Sequence, residues 1–121
     1  MQNIPIPDKI PELDIAIQAA KEAGEAILEI YQRDFQSHTK KDDSPITEGD
    51  IKSNEIIKKI LSQTNHAILS EEEDDDQSRL SKDTLWIVDP LDGTSDFIDK
   101  TGEFTIMIAL VKNKKPILGV I

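Results

Sequence analysis

Cysteine is absent from the 121 residues, which excludes a disulfide scaffold and any thiolate metal site and removes every sign of an oxidising compartment. Basic residues are scarce beside acidic ones: 14 Lys and Arg stand against 24 Asp and Glu, a formal net charge of −10. That balance disfavours loose electrostatic binding to nucleic acid or to an anionic membrane surface. Histidine is limited to His38 and His66, and neither has a second His or Cys at ligand spacing, so both are read as surface or turn residues. No run approaches the roughly 18 apolar residues of a membrane span, so no integral membrane segment is expected. The start, Met1-Gln2-Asn3-Ile4-Pro5, lacks the basic region and apolar run of a secretory leader. A cytoplasmic protein is the expectation, with a place at the periphery of the inner membrane as the alternative.

What is present is enough for one modest core. At this length and with 37% apolar residues, a single domain is expected. From Pro11 to Gln32, the residues Leu13, Ile17, Ala20, Ile27, Leu28 and Tyr31 recur at helical spacing, and Pro11 suits a first turn. Phe35 to Lys41 reads as a polar edge strand, followed by the turn-prone run Asp42-Asp43-Ser44-Pro45. Thr47 and Asp50 resemble a capping box opening a second helix, whose buried face is Ile56, Ile57, Ile60 and Leu61. Ala67 to Leu69 and Leu85 to Val88 read as short strands. Phe104 to Val111 and Ile117 to Ile121 read as a hairpin turned by Asn113-Lys114-Lys115-Pro116. Two helices ahead of a mainly antiparallel sheet predict a layered α+β sandwich.

The chemistry concentrates in Trp86-Ile87-Val88-Asp89-Pro90-Leu91-Asp92-Gly93-Thr94. Pro90 has a fixed φ and no N–H, so it is expected to end the strand and turn Asp89 and Asp92 toward one point. Gly93 permits a tight turn, and Thr94 is placed to open a short helix through Ser95, Asp96, Phe97 and Ile98, whose free N–H groups would attract an anion. Glu71 and Glu72, just after a strand, are placed to add a third carboxylate. Hard oxygen donors of this kind select Mg²⁺, Mn²⁺ or Ca²⁺ over Zn²⁺. Through such a cation an acidic protein can handle phosphate.

Bland readings compete. An isolated Asp-Gly-Thr is more often a turn than a catalytic centre, and the run from Asp74 to Asp76 reads as a solvated loop. An EF-hand is excluded, since counting back from Gly93 puts Val88 at its first position. A haloacid-dehalogenase-type phosphatase has one residue between its aspartates, whereas Pro90 and Leu91 both intervene here; it stays a minor alternative.

Taken together, Ser44-Pro45-Ile46-Thr47 with Asp50, Leu69-Ser70-Glu71-Glu72 and Asp89-Pro90-Leu91-Asp92-Gly93-Thr94 resemble the inositol monophosphatase superfamily of lithium-sensitive, Mg²⁺-dependent phosphatases. The resemblance runs from about Leu13 to Ile121, with three motifs in the right order. Lys40 ahead of Ser44-Pro45, the Ser70-Glu71-Glu72 form of the glutamate motif, and Gly102-Glu103-Phe104-Thr105 are most similar to the bacterial 3'(2'),5'-bisphosphate nucleotidases. These hydrolyse adenosine 3',5'-bisphosphate, a by-product of sulfate assimilation, to AMP and phosphate.

The resemblance implies that Glu71, Asp89 and the Leu91 carbonyl hold one Mg²⁺ while Asp89 and Asp92 contribute to a second. Two or three ions per intact site are implied, with Mn²⁺ able to substitute. It further implies that Asp50 and Thr94, with Glu71, orient and deprotonate the attacking water. Gly93, Thr94, Glu71 and Lys40 would contact the substrate. A departure lies at the other end: the family's Trp-Asp motif, whose aspartate completes the second metal site, is missing, since Trp86 is the only tryptophan and no aspartate follows Asp99. The expectation is that residues 1 to 121 are the N-terminal part of one phosphatase domain, weakly active or inactive alone, in association with a missing C-terminal half or as a homodimer. The alternatives are an inositol or sugar-phosphate phosphatase, and a non-catalytic metal-binding or subunit-interaction fragment.

Overall fold

A computed structural model describes residues 10–121; the reading of the Met1–Pro5 segment lies outside them. Helix α1 spans Pro11–Tyr31, with proline in its first turn as the sequence predicts. The predicted apolar stripe is rotated. The buried positions are Ala16, Ala19, Ala23, Ile27 and Ile30, while Ile17 and Leu28 are exposed. Alanine carries little hydropathic signal, but three alanines on one face let α1 lie close against α2.

A two-stranded antiparallel hairpin follows, with β1 at Ser37–Thr39 and β2 at Pro45–Thr47. β2 was not expected, because the same residues also carry turn and capping signals. Helix α2, Glu48–Leu61, begins on the predicted capping box: the Thr47 hydroxyl accepts from the Gly49 and Asp50 amides, and the Asp50 carboxylate accepts from the Thr47 amide.

The main sheet has the order β3-β4-β5-β6, from Ala67–Ser70, Thr84–Asp92, Thr105–Lys112 and Lys115–Val120. β3 and β4 are parallel, and the other pairs are antiparallel. Between β3 and β4, the acidic loop ends in a 3₁₀ turn at Ser78–Ser81, the part of the loop with an unpredicted element. The last hairpin turns on two residues: Asn113 and Lys114 both have positive φ, leaving Lys115 and Pro116 inside β6.

Both helices pack on one face of the sheet. Ala16, Ala19 and Ala23 of α1, Ile57, Ile60 and Leu61 of α2, and Trp86, Val88, Ile108 and Leu110 of the sheet form the main core. This is the expected α+β sandwich. The opposite sheet face leaves Ile87, Met107 and Ile117 exposed. Four of the five aromatic residues gather elsewhere: Tyr31, Phe35 and Phe104 surround Phe97, which lies fully buried with ring centroids 4.7 to 5.2 Å away. Phe97 belongs to α3, Thr94–Ile98, so this second core seats the short helix that carries Thr94. Among the described residues, no helix is long and apolar enough to cross a membrane.

Candidate metal and phosphate site

A strand alternates faces residue by residue, so two side chains three positions apart point to opposite sides. Asp89 and Asp92 escape that rule through a bulge. Asp89 pairs with Met107 and Asp92 with Thr105, so three steps along β4 match two along β5. The extra residue restores both aspartates to one face and leaves Pro90 and Leu91 buried. The prediction that Pro90 ends the strand is therefore corrected. β4 continues to Asp92 because the bulge absorbs the residue that lacks an N–H.

The parallel pairing of β3 with β4 brings in the glutamate. Ser70 lies opposite Val88, and the Glu71 amide donates to the Val88 carbonyl at 3.0 Å, so Glu71, just past the end of β3, comes to lie beside Asp89 in β4. Burial, then the Glu71 carboxyl, then the charge of Asp92 push the Asp89 carboxyl up to about 7, against a small opposing pull from the Leu91 amide. Crowded carboxylates in this state are what a hard divalent cation relieves. Among the described residues, no group of three or more His, Cys, Asp or Glu side chains is placed to hold a metal ion by itself, so a cation here would also need backbone oxygen or donors from outside these residues. The hard oxygen donors gathered on this side of the cavity are the adjacent Glu71 and Asp89, the Leu91 carbonyl and the more exposed Asp92, the donor chemistry that a cation such as Mg²⁺ takes.

The raised pKa has a testable consequence. Asp89 holds its proton more tightly folded than unfolded, so its stabilising contribution is full below about 3.8 and is lost as pH rises through about 7. In metal-free buffer, the Asp89 side-chain carbon resonance is expected to titrate near 7 and to move to lower pH when Mg²⁺ is added. A midpoint in the ordinary carboxylate range without cation would contradict the crowding.

Thr94 and Asp50 form the other half of the site. Gly93 holds φ +91°, and a Cβ there would lie 2.7 Å from the Glu103 carbonyl oxygen, so the turn into α3 requires glycine. Thr94 Oγ1 donates to Asp50 Oδ1 at 2.8 Å. Asp50 is fully buried, and its Oδ2 accepts from the Thr47 amide at 2.9 Å and the Thr47 hydroxyl at 2.6 Å. The shorter bond is to Asp50, the Leu91 carbonyl lying 3.3 Å away, so with its single proton on Asp50 the Thr94 oxygen keeps lone pairs free to accept.

Lys40, at the end of the β1–β2 hairpin, donates to Glu72 Oε1 at 3.2 Å, with Oε2 3.1 Å away outside hydrogen-bond geometry. Burial pushes the Glu72 carboxyl up despite Lys40. The Lys40 ammonium is raised: burial, which would lower it, is outweighed by Glu72, Glu71 and Asp42. A cavity of about 330 Å³ is lined by Lys40, Glu71, Asp89, Leu91, Asp92, Gly93 and Thr94. Asp50 stands behind Thr94. A larger hollow, about 640 Å³, covers the outer sheet face and shares Glu71 and Asp89 with the first.

Sequence reasoning missed the residues that brace these loops. Asn54 Oδ1 accepts from the Ser70 hydroxyl at 2.6 Å, and its amide donates to Glu73 at 3.0 Å. Lys58 also pairs with Glu73, at 2.6 Å. Ser53 Oγ donates to the Pro90 carbonyl at 2.7 Å. The available signal was helical phase: Ser53 shares the inward face with Asp50 and Ile57.

The sequence profile of the inositol monophosphatase family matches residues 8–121. The 3'(2'),5'-bisphosphate nucleotidase CysQ of Salmonella typhimurium is 40% identical over 114 residues, covering 90% of this chain and 46% of that protein. In structure, the chain is similar to CysQ from Bacteroides thetaiotaomicron, a bacterial member of the inositol monophosphatase family. There the identity is 50% and the TM-score 0.76, covering 90% of this chain and 41% of the other. It is also similar to the extragenic suppressor protein suhB from Bartonella henselae, with 28% identity and a TM-score of 0.81 over 92% of this chain and 44% of that one. The chain thus spans under half the length of these relatives.

Proposed function

The chain belongs to the inositol monophosphatase family, and on that premise we propose that it forms the metal-holding part of a Mg²⁺-dependent phosphomonoesterase domain. The substrate we propose is adenosine 3',5'-bisphosphate, hydrolysed to AMP and phosphate, as suits the likeness to the nucleotidase CysQ. The observation that carries this reading is the bulge between Asp89 and Asp92, which turns two carboxylates to the Glu71 side of one cavity beside the Thr94–Asp50 hydrogen bond.

Glu71, Asp89, the Leu91 carbonyl and Asp92 would hold the cations. Bound Mg²⁺ would supply charge neutralisation for the phosphoryl oxygens and a lowered pKa for an attacking water. Thr94 Oγ1, which donates to Asp50 Oδ1, would take the proton of an attacking water as its own proton passes to Asp50. Asp50 is held for this task by Thr47, whose two donors fix its second oxygen. The backbone of Gly93 and Thr94 and the ammonium of Lys40 would meet the phosphate, with Glu72 fixing the position of Lys40. No covalent bond to the protein is required. Residues completing the second cation site and the leaving-group pocket are proposed to come from the part of the relatives' length that this chain does not span, or from an associated copy.

Titration of the chain with adenosine 3',5'-bisphosphate checks the reading. Binding is expected only with Mg²⁺ or Mn²⁺ present, and is expected to vanish in Asp89→Asn. Turnover by residues 1–121 alone is expected to be weak or absent. Tight binding of the nucleotide without a divalent cation would contradict the metal-held phosphate.

A further inference from the structure

The bulge that aligns Asp89 with Asp92 exposes a structural problem of its own. Pro90 offers no N–H to the ladder, and with Leu91 it is buried between the two aspartates. A bulge is a local break in pairing, so its shape needs support from outside the sheet. That support comes from α2. Ser53, wholly inaccessible to solvent, donates its hydroxyl to the Pro90 carbonyl at 2.7 Å across 37 residues of sequence. One turn earlier on the same helix face, Asp50 accepts from Thr94 at 2.8 Å, just beyond the bulge. The helix therefore holds the bulge at its middle, through Pro90, and just past its end, through Thr94.

We propose that Ser53 is a positioning residue for the cation site: its hydrogen bond to Pro90 fixes the bulge that sets Asp89 and the Leu91 carbonyl in reach of Glu71. The inference rests on the metal reading above. Without the Ser53 hydroxyl, the Pro90 carbonyl loses its partner and the peptide between Pro90 and Leu91 can rotate. The bond from the Leu91 amide to Asp89 Oδ1, 3.3 Å, then loosens, and both oxygen donors move together. Ser53 touches neither cation nor phosphate; it acts through the backbone between two donors, as outer partners of metal ligands do.

Mn²⁺ affinity and amide hydrogen exchange, measured on the wild-type chain, Ser53→Ala, Ser53→Cys and Asp89→Asn, separate the possibilities. Ser53→Ala is expected to weaken Mn²⁺ binding about tenfold or more, the usual effect of losing an outer partner. It is also expected to speed exchange at the Leu91 amide while leaving Trp86 and Leu110 in the sheet centre protected. Ser53→Cys, close in size but a weaker donor, is expected to fall between wild type and Ala, and carries the comparison if the alanine variant does not fold. Wild-type Mn²⁺ affinity in the folded Ala or Cys variant would overturn the inference and leave the metal reading standing. So would a uniform rise in exchange throughout the sheet. A wild-type chain that binds Mn²⁺ no better than Asp89→Asn would overturn the metal reading, and this inference with it.

Discussion

Asp50→Ala is expected to destabilise the chain by about 3 kcal/mol, the cost of leaving buried donors without their acceptor. Three donors converge on this carboxylate: the Thr47 amide, the Thr47 hydroxyl and the Thr94 hydroxyl. The hydroxyls can turn, and Thr94 has the Leu91 carbonyl 3.3 Å away, so the Thr47 amide carries most of the loss. Removing a buried charge offsets part of it. Asp50→Asn separates fold from chemistry. Its amide oxygen can still accept from Thr47, which preserves much of the helix cap, but its NH₂ group then faces Thr94 and donates to it. The Thr94 proton is thereby turned toward the cavity, where a lone pair was needed. Chemical denaturation is expected to show a large loss for Asp50→Ala and a smaller one for Asp50→Asn. Hydrolysis by the assembled domain is expected to fail in both. Equal stability of Asp50→Ala and wild type would mean that the capping network contributes little.

The second large effect is at Gly93. Its φ of +91° disfavours any side chain, by about 1–2 kcal/mol for a left-handed backbone position. A Cβ would also lie 2.7 Å from the Glu103 carbonyl oxygen, a backbone atom that cannot swing aside as a side chain could. Gly93→Ala is therefore expected to cost about 3 kcal/mol in all, steric overlap adding to the backbone strain. Relief of the overlap must move either the segment before β5 or the start of α3. Phe97 anchors α3 from behind among Tyr31, Phe35 and Phe104, so Thr94 is displaced relative to Asp50 rather than carried along with a shifted helix. Thermal unfolding reads the stability loss, and the Thr94 hydroxyl and methyl resonances read the displacement. A Gly93→Ala chain with wild-type melting would contradict the close approach.

The parts legible in the sequence are those that local physics decides. Thr47 and Asp50 are three residues apart and cap the same helix end, so their pairing needs no knowledge of the fold. Thr94 to Ile98 could be read as a helix after a glycine turn for the same reason. The α+β class followed from helical spacing in two segments and strand formers in the last third, and the family motifs stood in sequence order.

What was not legible depends on partners distant in the chain. Asp89 and Asp92 share a face only because β5 supplies two residues against three, and nothing in Pro90 alone announces a bulge rather than an end. Ser53 reads as an ordinary polar residue until Pro90 lies opposite it. The packing face of α1 was misplaced because Ala16, Ala19 and Ala23 attract less attention than Ile17 and Leu28, although only the alanines allow close helix contact. Only the family resemblance points Lys40 toward the substrate; that it pairs with Glu72 emerges only when the hairpin lies beside the acidic loop.

In the proposed site the β4 bulge gathers Glu71, Asp89, the Leu91 carbonyl and Asp92 around a bound cation. Titration calorimetry with Mn²⁺ on the wild-type chain, Asp89→Asn and Asp92→Asn tests it most directly. The wild type is expected to bind Mn²⁺ measurably, Asp89→Asn to lose that binding, and Asp92→Asn to bind clearly more weakly. Equal Mn²⁺ affinities in all three proteins would contradict it.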